Sequence, residues 1–303
     1  MHVFITGASG WIGSALVPEL LSAGHRVTGL ARSDDSARAL TAAGADVLRG
    51  SLDDLDVLRT GAQRADGVVH LAFKHDLAFT GQGAQAASAD REAVQAFVDA
   101  LAGTDKPLVI ASGALGVTPG RTATEDDGRT VEGDPQGVLA RHHTAQLTLE
   151  AADRGVRSVV VRLSPTVHAE GDTGFIPALV TTARTTGTSA YVDEGTTRWP
   201  AVHRADASTL FRLAVEQAPA GSVLHAVAEE GIPTREIAEA IGRALDLPVT
   251  SLPAADAEAH FGFLGSVLGL DSPTSSDRTR ALLGWTPTHP TLVEDIDAGR
   301  YTR

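Results

Sequence analysis

The stretch Val3-Phe4-Ile5-Thr6-Gly7-Ala8-Ser9-Gly10-Trp11-Ile12-Gly13 decides how this chain folds. Val3–Thr6 is a short β-branched and apolar run that reads as a strand. From Ile12 to Ala23 apolar residues recur every three or four positions, as on one face of a helix. The glycines fall where the strand hands over to the helix. There Gly7 permits a tight turn, Gly10 lets the backbone approach a pyrophosphate, and Gly13 allows the helix to pack closely on the strand. The helix N-terminus then offers free N–H groups and partial positive charge. A glycine motif alone is weak evidence. Placed on the first strand of a βαβ unit, it reads as a dinucleotide cradle that also uses Ser9, Trp11 and Ile12.

Working outward, the same alternation continues. Strands are expected at Arg26–Ala31, Asp46–Arg49, Gly67–Leu71, Leu108–Ala111 and Ser158–Leu163. Helices are expected at Ser36–Ala43, Asp54–Arg64, Ala84–Ala102 and Leu139–Arg154. Gly24, Gly44 and Gly155 stand just past helix ends. Apolar strands alternating with helices predict a Rossmann-type doubly wound parallel sheet. Beyond Ser164 the pattern loosens into a helix at Phe175–Arg184, a strand at Ala190–Val192, a helix at Asp206–Gln217, a strand at Val223–Val227 and a helix at Thr234–Leu245. The expected α/β architecture is a dinucleotide-binding domain of residues 1–163 plus about 197–227. A smaller interleaved C-terminal α/β substrate lobe comprises about 164–196 plus 228–303.

Composition narrows the chemistry. The 303 residues include no cysteine, which excludes disulfides, thiolate nucleophiles and Cys-based metal sites. A formal charge of −13 argues against a nucleic-acid partner. No apolar run approaches the roughly 18 residues of a membrane span, and Met1–Ile5 lacks a basic leader, so a cytoplasmic protein without membrane attachment is expected. No Gly-x-Ser-x-Gly elbow suggests a serine hydrolase. His168, Glu170 and Asp172 have ligand residue types, yet no metal site is expected there. Lysine occurs only at Lys74 and Lys106 and tyrosine only at Tyr191 and Tyr301.

The Thr-Gly-x-x-Gly-x-x-Gly start resembles the extended short-chain dehydrogenase/reductase family, also called the epimerase/dehydratase type. Val69-His70-Leu71-Ala72-Phe73 is similar to that family's fourth-strand segment, and Val109–Gly113 to its fifth strand with the active-site serine, here Ser112. Val161–Val167 is similar to the sixth strand and the nicotinamide-contacting loop, here Pro165, Thr166 and Val167. Trp199–Asp206 resembles the segment where the chain re-enters the nucleotide domain. The resemblance implies Leu71, Ala72 and Phe73 beneath the cofactor and Asp53 beside the adenine. It also implies a homodimer through Ala84–Ala102 and Leu139–Arg154, with Ala145 and Ala151 permitting close approach.

The end of the second strand selects the dinucleotide. An NAD enzyme carries an acid there, about 20 positions after the glycines, to hold the ribose hydroxyls. This chain has Ala31, then Arg32 and Ser33, which suit a 2′-phosphate; NADP(H) is expected over NAD(H).

Catalysis is where the chain departs from the family, whose members carry Tyr-x-x-x-Lys before the sixth strand. Four residues after Tyr191 comes Gly195, so no such pair exists. The family pattern lays His142 on the tyrosine position and Gln146 on the lysine position, with His143 one step away. Three readings follow: a histidine donates the proton while Gln146 holds the ribose; an iminium substrate needs no donor; or the chain binds NADP(H) without turnover, as a sensor. Ser112 and Tyr191 are further catalytic candidates, and Lys74, His75, Ala114, Trp199 and His203 candidate pocket residues. The expected function is NADP(H)-dependent reduction of a C=O or C=N group in a small or medium organic substrate. An epimerase or dehydratase is the weaker alternative.

Overall fold

Strands that are apolar on both sides must be covered on both faces, and helices that cross back over a sheet start each new strand in the same direction. The computed structural model describes residues 1–79, 82–130 and 140–302. The first half runs β1 (His2–Thr6), α1 (Gly13–Ser22), β2 (Arg26–Ala31), α2 (Asp34–Ala42), β3 (Asp46–Arg49), α3 (Leu55–Arg64), β4 (Gly67–His70), α4 (His75–Phe79), α5 (Gly83–Leu101), β5 (Pro107–Gly113), α6 (Arg141–Glu150) and β6 (Arg157–Leu163). The second half runs β7 (Thr166–His168), α7 (Phe175–Thr186), β8 (Ser189–Val192), β9 (Arg198–His203), α8 (Arg204–Gln217), β10 (Ser222–Ala226), β11 (Glu229–Pro233), α9 (Thr234–Leu245), β12 (Val249–Leu252), α10 (Ala257–Phe261), α11 (Phe263–Leu268), α12 (Asp277–Leu283) and α13 (Leu292–Asp297).

The large sheet has seven strands in the order β10-β6-β5-β4-β1-β2-β3, all parallel. Alternate residues of β1 feed opposite layers. Val3 and Ile5 pack with Leu16 and Leu20 of α1 and Leu210 and Phe211 of α8, while Phe4 packs with Leu58 of α3 and Val94 and Phe97 of α5. This is the period-two signature of a sheet sandwiched by helices. The expected Rossmann-type sheet is present. A separate apolar cluster joins Ile176, Trp199, Ile237, Ile241, Leu292 and Ile296.

Some details differ from expectation. The predicted helix over 139–154 is α6 followed by a tighter 3₁₀ turn, Ala151–Arg154, which ends at Gly155 with φ 70°; Leu139 lies outside the described residues. Ala145 and Ala151, expected to ease contact between two copies, are buried within the chain's own core against Val160 and Ile110. β9 belongs to a small sheet, β11-β9-β7, and the chain re-enters the large sheet at β10, after α8.

Buried polar groups tie segments far apart in sequence to the packed elements. The Asp206 carboxylate accepts the backbone N–H groups of Thr288 and His289 and lies 2.8 Å from His289 Nδ1, pinning the segment before α13 to α8. Arg162, 2% exposed, donates to the carbonyls of Asp127 and Gly128 at 2.7 and 2.6 Å, holding the segment after β5 over β6. His225 lies beside it, with Nδ1 2.7 Å from the Ser275 carbonyl.

Burial pushes His142, His203 and His225 down to about 4, so the fold holds all three as neutral imidazoles at pH 7. Unfolded histidine titrates near 6.5, and between these values the unfolded chain binds more protons. Stability from these groups is therefore complete above about pH 6.5 and is lost as pH falls through 4, at up to about 1.4 kcal/mol per pH unit for each. Urea titrations at pH 7, 6 and 5 should show a falling unfolding free energy with an unchanged slope. A flat profile would mean that the folded chain accepts these protons.

Candidate active site

The cradle is built by backbone, not by side chains. Gly7 adopts φ 69°, and a Cβ there would lie 2.7 Å from the Ala72 amide nitrogen in the segment after β4. A Cβ on Gly13 would lie 2.1 Å from the Gly7 carbonyl oxygen, so the first turn of α1 is pressed against the loop. α1 begins without a side-chain cap and has no acid in its first turn. The N–H groups of Ser14 and Ala15 donate to the Gly10 and Ile12 carbonyls, whereas those of Trp11, Ile12 and Gly13 have no hydrogen-bond acceptor among the described residues, and the cradle fits a pyrophosphate.

From this loop a groove of about 690 Å³ runs along the ends of the parallel strands. It lies across β1 and β4, where the strand order reverses, which is where open α/β sheets bind ligands. Among the expected cofactor residues, Gly7, Ser9, Gly10, Trp11, Ile12, Arg32 and Asp53 line it. Leu71, Ala72, Phe73, Pro165 and Val167 line its other end, together with the expected pocket residues Lys74 and His75. The Lys74 ammonium grips both oxygens of Asp53, at 2.6 and 2.8 Å, so each cancels the other's charge.

The wall contributed by α6 differs from the family-based alignment. Thr144, Ala145 and Thr148 are the buried side of α6, and they fix its rotation. The residue one turn before Ala145 is Arg141, and it is Arg141 that reaches the groove. His142 and His143 do not line it. Besides burial, the charges of Arg162, Arg141 and His143 hold His142 neutral. Gln146 points along the helix and donates to Glu150 at 2.9 Å. Arg141 donates to the Ala111 carbonyl at 2.7 Å, stacks 4.4 Å over the Phe73 ring, and leaves its Nε buried without a partner.

Beneath this wall lies a buried chain of polar groups. Thr6 Oγ1 is 2.7 Å from His70 Nδ1, and His70 Nε2 is 3.2 Å from Asp90. Burial alone would raise the Asp90 pKa, but the His70 hydrogen bond, the Arg141 charge and the Thr144 hydroxyl outweigh it and keep the carboxylate ionised. The His75 pKa is also lowered, by burial and by the charge of Arg141, which favours the neutral imidazole.

The facing wall, Asp172, Thr173, Gly174 and Phe175, was not anticipated from the sequence. Burial raises the Asp172 pKa although its carboxylate accepts the Gly174 N–H at 2.7 Å and the Tyr301 hydroxyl at 3.1 Å. Trp11 ties this wall to the cradle: its indole N–H donates to the Val167 carbonyl at 2.8 Å, and the Arg204 guanidinium covers the ring at 4.3 Å.

The remaining expected residues stand outside the groove. Ser33 caps α2 by accepting the Ser36 N–H, and Ser36 lines the groove instead. Ser112 is buried with its hydroxyl unpartnered among the described residues, Ala114 is buried, and Thr166 donates to the Pro200 carbonyl. Tyr191 lies on β8 beneath Arg235. Trp199 is fully buried behind Phe175, its ring 5.6 Å away. His203 caps α8 and stacks on His289 at 4.7 Å. Ligand atoms of His203, Asp206 and His289 lie within 4.8 Å of one another, but the two rings are parallel within 4°, so their in-plane lone pairs do not converge on one ion.

A family model described as the NAD dependent epimerase/dehydratase family matches residues 3–227. An uncharacterized protein of Schizosaccharomyces pombe is 46% identical over 301 residues, covering 99% of this chain and 100% of the relative. A 4-hydroxy-2-methyl-3-oxo-4-farnesyl-3,4-dihydroquinoline-1-oxide ketoreductase of Stigmatella aurantiaca is 30% identical over 237 residues, 74% of this chain and 67% of that protein. The crystal structure of DesIV, a dTDP-glucose 4,6-dehydratase from Streptomyces venezuelae with NAD and TYD bound, shares the fold with a TM-score of 0.77. That match has 18% identity and covers 99% of this chain and 96% of that one.

Gly13→Ala forces a methyl group against the Gly7 carbonyl, and neither backbone can yield without displacing the cradle. NADPH affinity, followed by tryptophan fluorescence, should fall at least tenfold, on the order of 1.4 kcal/mol or more. Ser14→Ala next door should bind as the parent does. An unchanged affinity in Gly13→Ala would mean that the loop does not receive the pyrophosphate.

Proposed function

The chain belongs to the NAD dependent epimerase/dehydratase family, and from that premise we propose that it is an NADP(H)-dependent oxidoreductase that reduces a carbonyl or imine group of a small or medium organic substrate. The dinucleotide would lie along the groove with its adenosine end at β2, its pyrophosphate on the glycine cradle and its nicotinamide between Val167 and Arg141. When bound, the reduced cofactor supplies a hydride. The chain's own residues hold the reactants.

One observation carries the choice of NADP(H). Arg32 lines the adenosine end of the groove, where Ala31 stands in place of an acid. The two carboxylates that follow it are both occupied: Asp34 pairs with Arg49 at 2.8 Å and Asp35 pairs with Arg38. The charge of Arg32 is left for a ligand, and a guanidinium suits a phosphate. Reduction is favoured over sugar epimerisation because α6 carries neither tyrosine nor lysine. The ketoreductase relative supports the same reading.

Removing a charge-assisted contact to phosphate costs about 1.5–3 kcal/mol, roughly ten- to a hundredfold in affinity. Arg32→Ala should therefore lose NADPH affinity by that factor while NADH affinity stays level. An unchanged NADPH/NADH ratio would remove Arg32 from the site. A screen of aldehydes, ketones and cyclic imines at 340 nm tests turnover, and tight NADPH binding without oxidation of any would favour a sensor.

A further inference from the structure

Among the described residues, the Arg141 end of the groove presents one cation, Arg141, whose charge no ion pair cancels. Lys74 is neutralised by Asp53. His75 is disfavoured as an imidazolium by burial and by Arg141. Asp172, on the facing wall, is pushed toward its protonated form by burial. Asp76 also lines this end, and the buried Asp90 feels the field of Arg141, but among the described residues no carboxylate forms an ion pair with Arg141. Its guanidinium is fixed by the Ala111 carbonyl on one side and the Phe73 ring on the other. A cation fixed in this way is preorganised for negative charge and hostile to positive charge.

We propose that Arg141 holds the substrate's carbonyl oxygen, so that the substrates are ketones or aldehydes and cationic iminium ions are rejected. This rests on the reductase reading above and narrows it. The carbonyl carbon receives hydride from the reduced nicotinamide, which leaves oxidised. The carbon–oxygen π pair moves onto oxygen, where the N–H groups of Arg141 meet the new charge, and a proton from water completes the alcohol. Arg141 keeps its own proton throughout, because guanidinium does not deprotonate in proteins. The cation thus takes over the charge-stabilising half of the family tyrosine's task, and solvent takes over proton supply.

Benzoate, whose carboxylate imitates the alkoxide, is the probe. It is titrated calorimetrically into NADP⁺-saturated protein at pH 6, 7.5 and 9, using the parent chain, Arg141→Gln and Arg141→Lys. The parent should bind benzoate within about twofold at all three values, since the holding group does not titrate. Arg141→Gln should weaken benzoate at least tenfold and Arg141→Lys by less, while NADPH affinity moves under threefold. In the parent, simple ketones should turn over at least tenfold faster than N-methylated cyclic iminium salts, and Arg141→Gln should reverse that order.

Benzoate binding that ignores Arg141, or that falls between pH 6 and 9 as an imidazole would, overturns the proposal. Parallel loss of NADPH in both variants would also overturn it, by assigning Arg141 to the cofactor. The parent's pH series and substrate preference decide the matter even if a variant fails to fold. Failure of the parent to bind NADP⁺ would sink the reductase reading along with this one. Arg141-dependent benzoate binding without turnover of any carbonyl would support the oxyanion site and overturn the reductase reading alone.

Discussion

The carbonyl oxygen of Gly7 lies 2.1 Å from the point where residue 13 would carry a Cβ, and the Ala72 amide nitrogen lies 2.7 Å from the corresponding point on Gly7. Three pieces of backbone, from the loop, the first turn of α1 and the segment after β4, therefore meet without side chains between them. This contact lets β1 and β4 pair in register while the loop turns over their ends, with Thr6 opposite His70. Among the described residues the N–H groups of Trp11, Ile12 and Gly13, at the start of α1, are left without an acceptor. Everything else in the site is placed relative to that contact: Thr6, the residue just before Gly7, touches His70, and His70 touches Asp90 on α5.

Charge in the groove is arranged by cancellation. Asp53 with Lys74, Asp34 with Arg49 and Asp35 with Arg38 are local pairs that remove their own fields. Burial holds His142 neutral. Among the described residues that line the groove, Arg32 at one end and Arg141 at the other are the guanidinium groups without an ion-pair partner. On the proposed reading, a 2′-phosphate would meet the first and the developing charge of a carbonyl the second.

Polar contacts add direction to the apolar core that the two halves of the chain share. Trp11 donates to the Val167 carbonyl, Tyr301 donates to Asp172, and the His168 ring lies 2.7 Å from Asp295 on α13. These contacts converge on residues 165–175, the wall opposite Arg141. A direction-dependent contact fixes distance across a groove in a way that apolar packing does not, because a hydrogen bond fails beyond a few tenths of an ångström. Groove width is set there.

The sequence by itself determined the sheet, the helices that cover it and the cradle, because these depend on local periodicity and on glycine where backbones meet. Val3–Thr6, the Gly7–Gly13 loop and Gly24, Gly44 and Gly155 after their helices are all where the residues place them. Side chains that line the groove directly from those loops, Trp11, Arg32, Asp53, Phe73 and Val167, were legible for the same reason. Tertiary structure alone decided the rest. The rotation of α6 depends on how Thr144, Ala145 and Thr148 seat against neighbouring elements, and turning a helix by one residue, about 100°, exchanges His142 for Arg141. The partnership of Lys74 with Asp53 spans 21 positions and that of Asp172 with Tyr301 spans 129. No local pattern encodes such pairs, because they exist only once separate elements have packed and set the distances between them.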